Sequence, residues 1–171
     1  MEILIDKITI TASSKKRAIF SENHLNFYMK YAFLVFRSLR KPFFQKFVSW
    51  MLRKEKIDED KVKDVQIKTF PFRNENGKGL AGKCKIKGNI FIYPRRLEFC
   101  REKTQELGKE NINFYIKSRA RATLIHELLH LKYASNEEKV RELTKRYFNI
   151  FAKHQHTQNS NGHKIAKMLF T

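Results

Sequence analysis

Cysteine is scarce in this chain of 171 residues, which has only Cys84 and Cys100. A single distant pair, with no secretory leader before it, reads as two reduced, partly buried thiols and excludes a disulfide framework or a cysteine-based zinc site. Long apolar runs are missing too. The most apolar stretch, Leu25 to Leu39, is broken by Lys30 and Arg37 and falls short of the roughly 20 apolar residues that span a bilayer. The N-terminal MEILIDKITI carries Glu2 and Asp6 and no run long enough for a signal sequence, so the expected location is the cytoplasm. No internal repeat or low-complexity segment occurs, and there is no RNP motif, zinc finger or helix-turn-helix signature.

Acidic residues are also few, 17 against 36 Lys and Arg, for a net charge of +19. Residues 1–56 carry 12 basic and 4 acidic side chains and residues 57–171 carry 24 and 13, so the excess is not a basic tail. Such a surplus suits either a soluble, self-repelling surface or attraction to nucleic acid or an anionic membrane. With 42% hydrophobic and 13% aromatic residues, the composition argues against disorder.

The periodicity predicts an α+β protein. After Ser13 and Ser14 a helical pattern runs to about Arg40, and Pro42 ends it and opens a second helix to about Lys56 with Phe43, Phe44, Phe47, Val48, Met51 and Leu52 at i, i+3, i+4 spacing. This N-terminal helical hairpin (1–56) packs on the rest or offers a basic amphipathic surface to lipid or a partner. The acidic break Ile57–Asp60 opens a second unit (57–152). There the period changes to two around Val65–Thr69, Cys84–Ile86 and Ile90–Tyr93, giving a small three-stranded sheet with a hairpin at Gly88-Asn89. Helices follow over Arg95–Leu107, Asn111–Tyr133 and Asn136–Phe151, then a polar tail (153–171).

His126-Glu127-Leu128-Leu129-His130 is an HExxH pattern in a segment, Arg119 to Tyr133, that contains no Gly or Pro. On a helix, positions four apart share a face one turn up, so both imidazoles can bind one Zn²⁺. Glu127 then stands beside the metal as general base toward a water, the arrangement that hydrolyses a peptide bond. A catalytic zinc needs a third protein ligand. A metzincin histidine is ruled out because Asn136 stands at that position. Taking Val140 as the centre of the next helix's apolar face, Glu137 lies about 60° away, Glu138 about 160° and Glu142 about 200°. Glu137 is therefore the expected ligand and Glu138 the alternative, with Glu138 and Glu142 otherwise solvated.

These residues, His126 to Tyr133 followed by Asn136-Glu137 and Val140 to Thr144, resemble the gluzincin zinc peptidases, most of all the compact archaeal minigluzincins. A similar plan is found in Spartan/SprT-like and ImmA/IrrE-type metallopeptidases. The resemblance covers roughly Lys61 to Phe151 and implies a three-stranded sheet, a backing helix, an active-site helix and a glutamate helix. It also implies a zinc-dependent endopeptidase acting on protein or peptide, with an extended substrate added to a sheet edge, expected at Gly88–Pro94. In thermolysin-like gluzincins an acid four residues after the ligand glutamate orients the first histidine. Arg141 occupies that position after Glu137, whereas the Glu138/Glu142 pair would keep the acid, so both glutamates stand as candidates. The oxyanion helper, often Tyr, His or Arg in similar enzymes, is open among Tyr133, His154, His156 and His163. Similar minigluzincins are held latent by their own chain, and the amphipathic Lys164–Thr171 stretch is the segment that could lie in the cleft. The resemblance does not reach residues before 57. Two other functions fit the composition: a nucleic-acid-associated protein with a peptidase fold, Spartan-like or inactive, and a membrane-surface or partner-binding helical protein.

Overall fold

The structure, a computed structural model, describes residues 4–12, 19–154 and 168–169. The chain is α+β, and its sheet has one strand more than the sequence suggests. Strands β1 (Ile8–Thr11), β2 (Asp64–Lys68), β5 (Gly82–Cys84) and β6 (Asn89–Ile92) form a sheet in the order β1-β2-β6-β5. The first three neighbours run parallel and β5 runs antiparallel to β6. β3 (Phe72–Arg73) and β4 (Gly79–Leu80) form a separate two-stranded ribbon within the glycine-rich loop. β1 was invisible in the sequence because it is four residues long with only Ile8 and Ile10 alternating. Its register, Ile8 against Val65 and Ile10 against Ile67, turns those isoleucines to the same face as the strand beside it.

The central position of β6 corrects the expected substrate edge. Residues 89–92 are paired on both sides, by β2 and by β5, and have no free backbone edge to offer. The open edge on that side is β5. β5 is also shorter than the alternation of Cys84 and Ile86 suggests. The strand ends at Cys84 and Ile86 is fully exposed at the hairpin tip. Gly88 fixes that turn: its φ is +89°, and a Cβ there would lie 1.9 Å from the Lys61 carbonyl oxygen.

Helix α1 (Glu22–Leu39) starts eight residues later than the serine pair suggests, because Ser21 caps it by accepting from the His24 backbone N–H. Ser13 and Ser14 lie outside the described residues. Helix α2 (Pro42–Glu55) has its proline in the first turn and ends where Lys56 adopts φ 56°. Then come α3 (Leu97–Leu107), α4 (Lys109–Tyr133), which carries the HExxH residues, and α5 (Glu137–His154).

One core runs through both sides of the acidic break at 57–60. Tyr31, Val35 and Leu39 of α1 and Phe44, Val48 and Met51 of α2 are buried in the same cluster as Val65, Ile90, Ile125, Leu128 and Leu143. Polar bonds cross the break as well. Arg119 Nη1 donates to the Tyr93 carbonyl at 2.7 Å and faces the Tyr31 hydroxyl at 3.4 Å, and Arg121 Nη2 donates to the Ser38 carbonyl at 3.1 Å. Arg121 is itself half-buried among Phe43, Phe44 and Phe151, 5.2–5.5 Å from each ring. Burial pushes its guanidinium down to about 10. The N-terminal helices thus hold α4 in place, and the site depends on them. Among the described residues no helix is long and apolar enough to cross a membrane.

Candidate metal centre and cleft

The two histidines stand one turn apart on α4, and α5 crosses next to them because the chain reverses between Tyr133 and Glu137. His126 Nε2 and His130 Nε2 are 3.1 Å apart. The Glu137 carboxylate closes the triangle, with Oε1 3.2 Å from His126 Nε2 and Oε2 3.1 Å from His130 Nε2. Glu138 and Glu142 are exposed and take no part in the triangle, Glu142 standing in the lining of the cleft.

The protons on the two rings can be assigned from their partners. His130 Nδ1 lies 2.6 Å from the Ala134 carbonyl oxygen, and a carbonyl only accepts, so the proton is on Nδ1. Ala134 reaches that position through a backbone that L residues rarely adopt, φ 45° and ψ −117°. His126 Nδ1 lies 3.3 Å from Thr144 Oγ1. The Thr144 hydroxyl already donates to the Val140 carbonyl at 2.7 Å, so toward His126 it accepts. Burial lowers the His126 pKa against the opposing pull of the Glu137 carboxylate. A ring that carries its proton on Nδ1 turns the Nε2 lone pair inward, toward the other ring and the carboxylate.

Three acceptors converging at 3.1–3.2 Å repel one another unless a cation lies among them. Three ligands each about 2.0–2.1 Å from a tetrahedral zinc are separated by about 3.3 Å. Two imidazoles and a carboxylate are also the donor set that zinc takes. The residues fit the ion that the motif implies.

Glu127 faces the other wall. It is 6% exposed and accepts the Cys84 backbone N–H of β5. Burial, reinforced by the Glu137 charge and opposed by that hydrogen bond, pushes its carboxyl up to about 8. Gly82 allows β5 to come this close. A Cβ there would sit 2.5 Å from Thr123 Cγ2 and 2.9 Å from Glu127 Oε1.

An open cleft runs between β5 and α5 over these groups. Its lining includes nine Lys or Arg side chains, among them Lys83, Lys85, Arg141 and Lys145, against Asp60, Glu127, Glu137 and Glu142. Cys84 is part of that lining, and burial followed by the Glu127 charge pushes its thiol up to about 11. Met168 and Leu169 line it too, packed against the core. The rest of the 164–171 stretch lies outside the described residues.

Tyr133 faces away from the cleft and donates to Glu55 Oε2 at 2.6 Å. His154 is exposed at the end of α5, and His156 and His163 lie outside the described residues. Two contributors escaped the sequence reading. Thr144 lies seven residues, two helical turns, after Glu137, and that spacing is a usable signal. The Gly82–Cys84 edge gave none, because only tertiary contact brings it to Glu127. The chain matches no protein-family model, no curated protein and no solved structure.

Proposed function

We propose that this chain is a gluzincin-like zinc endopeptidase. The observation that carries the reading is the convergence of His126 Nε2, His130 Nε2 and both Glu137 oxygens at 3.1–3.2 Å, with the Nδ1 protons turned outward. Zinc, when bound, supplies Lewis acidity toward a water and the scissile carbonyl. His126, His130 and Glu137 hold it. Glu127 takes the proton from the attacking water and returns it to the leaving amine. The Cys84 N–H keeps that carboxyl aimed while β5 offers its outer edge to an extended peptide. The cationic lining favours substrate segments with acidic side chains.

Met168 and Leu169 line the same cleft as Glu127 and Glu137, which supports a latent enzyme held by its own tail. A cytoplasmic enzyme suits the free thiols Cys84 and Cys100.

Elemental analysis of untagged, zinc-reconstituted protein tests the proposal together with casein hydrolysis. One zinc per chain is expected, lost in His126→Ala and His130→Ala. Glu127→Gln is expected to keep the metal and lose hydrolysis. Wild-type protein that holds no zinc would overturn the reading.

A further inference from the structure

From Asn23 to Lys54 the chain has no Asp or Glu and seven Lys or Arg. Most of that stretch builds the core, but α2 also presents a second face. Its inward arc carries Phe44, Gln45, Val48, Ser49, Met51, Leu52 and Glu55, all buried. The opposite arc, about 120° wide on a helical wheel, holds Trp50, Phe43 and Lys54 along its middle, with Lys46 and Arg53 on one flank and the half-buried Phe47 at the other edge. Phe43 is 40% exposed and Trp50 37%. Phe47 lies 5.5 Å from Trp50, and Lys54 Nζ stands 5.0 Å from the indole centroid. The ridge is braced from below. Phe43 stacks on Phe151 of α5 at 5.9 Å, Phe47 meets the same ring tilted at 5.2 Å, and Trp50 meets Tyr147 edge-on at 6.0 Å.

Only the buried part of the Phe43 and Trp50 rings adds to stability, and the part left in water is what a bilayer interface takes at the headgroup level. We propose that the outer face of α2 is a docking surface for an anionic membrane, with Trp50 and Phe43 entering the headgroup–acyl boundary and Lys46, Arg53 and Lys54 meeting lipid phosphates. Charge complementarity sets the sign: the face carries cations and no carboxylate, since Glu55 points inward to Tyr133 and Tyr147. Shape separates a membrane from nucleic acid. Two partly exposed aromatic rings a turn or two apart on one helix, flanked by cations, match an interfacial helix lying in the headgroup plane, whereas a single-strand site stacks bases along a charged groove. At 14 residues α2 lies on the bilayer and does not cross it. The inference is independent of the peptidase reading.

Trp50 is the only tryptophan, so its emission reports directly on this face. Full-length protein is mixed with vesicles of phosphatidylglycerol and phosphatidylcholine, and separately with pure phosphatidylcholine. A blue shift with the anionic vesicles alone, quenched by lipid brominated near the top of the acyl chains and reversed by raised salt, is expected. The double variant Lys46→Glu/Arg53→Glu, at two exposed positions, should weaken partitioning at least about tenfold, with an unchanged circular dichroism spectrum. A chain of net charge +19 can also coat anionic vesicles by charge alone. Co-sedimentation with Trp50 emission left at its aqueous position would mean that outcome and would overturn the proposal. So would a shift that survives the double reversal. Quenching by a single-stranded oligonucleotide without a vesicle response would assign the face to nucleic acid and overturn it as well.

Discussion

Thr144 Oγ1 accepts from His126 Nδ1 while giving its own proton to the Val140 carbonyl, so a neutral hydroxyl on α5 sets the tautomer of a histidine on α4. In the thermolysin-like pattern that the sequence resembles an acid has this task, and Arg141 at the corresponding place pairs instead with Glu137 at 3.2 Å. The ring orientation is thereby fixed without adding a second negative charge beside Glu137. Thr144→Val removes the acceptor at nearly constant shape and should weaken zinc affinity by about 10–100-fold. Thr144→Ser should restore most of it. Competition with a fluorescent chelator measures both, and equal affinities for the valine and serine variants would show that the hydroxyl has no part in orienting the ring.

Gly82 and Glu127 define how closely the edge strand approaches α4. In Gly82→Ala the new methyl meets Thr123 Cγ2 at 2.5 Å and Glu127 Oε1 at 2.9 Å. Either the strand moves out or the carboxyl turns, and both break the Cys84 N–H contact. Hydrolysis should fall by at least about 100-fold, because displacements near 1 Å cost that much. Zinc content should be unchanged, since His126, His130 and Glu137 are untouched. Loss of zinc in this variant would mean that β5 supports the metal residues as well.

The HExxH residues and Glu137 were legible because helical spacing alone puts them on defined faces: four residues separate the histidines, and Glu137 lies near the apolar side set by Val140 and Thr144. What the sequence did not reveal comes from pairing partners distant along the chain. β1 and β2 are separated by more than fifty residues and two helices, and a pair of isoleucines is too little pattern to announce a strand. The substrate edge was misplaced for the same reason. Gly88–Pro94 has the stronger strand composition, yet strong composition marks a central strand, and the weaker Gly82–Cys84 is left at the rim. Ile57–Asp60 looked like a division because its charge changes sign, while the core contacts that cross it are apolar and distant in sequence.

Glu55, at the end of α2, ties the N-terminal helices to the end of α4 and the middle of α5, the two helices that carry the site. Tyr133 of α4 and Tyr147 of α5 both donate to its carboxylate, and Lys132 Nζ donates to its backbone carbonyl at 2.6 Å. Burial pushes the carboxyl up, but the two hydroxyls and the Lys132 ammonium outweigh it and hold Glu55 below the ordinary carboxylate range. A depressed acid contributes stability that is present above its unfolded pKa and lost as pH falls through the folded one. The wild-type unfolding midpoint should therefore drop below about pH 4.5, and Glu55→Gln should flatten that acid arm while lowering stability at neutral pH. Glu55→Ala, which strands two tyrosine hydroxyls, should cost about 2–4 kcal/mol. Urea titration at neutral and acid pH measures all three proteins. An acid arm unchanged in Glu55→Gln would place its origin in other carboxylates.

Met168 and Leu169 share the cleft with Glu127 and Glu137 although residues 155–167 separate them from the end of α5. Two apolar side chains lining the cleft can exclude a substrate from it, and they bring no imidazole or carboxylate to a metal. Block and metal are therefore separable. Removing residues 158–171 should raise hydrolysis of casein, an unstructured substrate, several-fold at constant zinc content. Met168→Glu/Leu169→Glu in the full chain should do the same, because burying two carboxylates against a core costs more than one displaced segment contributes. A synthetic peptide of residues 164–171 added to the truncated protein should restore inhibition competitively with substrate. If truncation and double substitution both leave a folded, zinc-loaded enzyme at its original rate, Met168 and Leu169 are cleft walls and do not block the substrate.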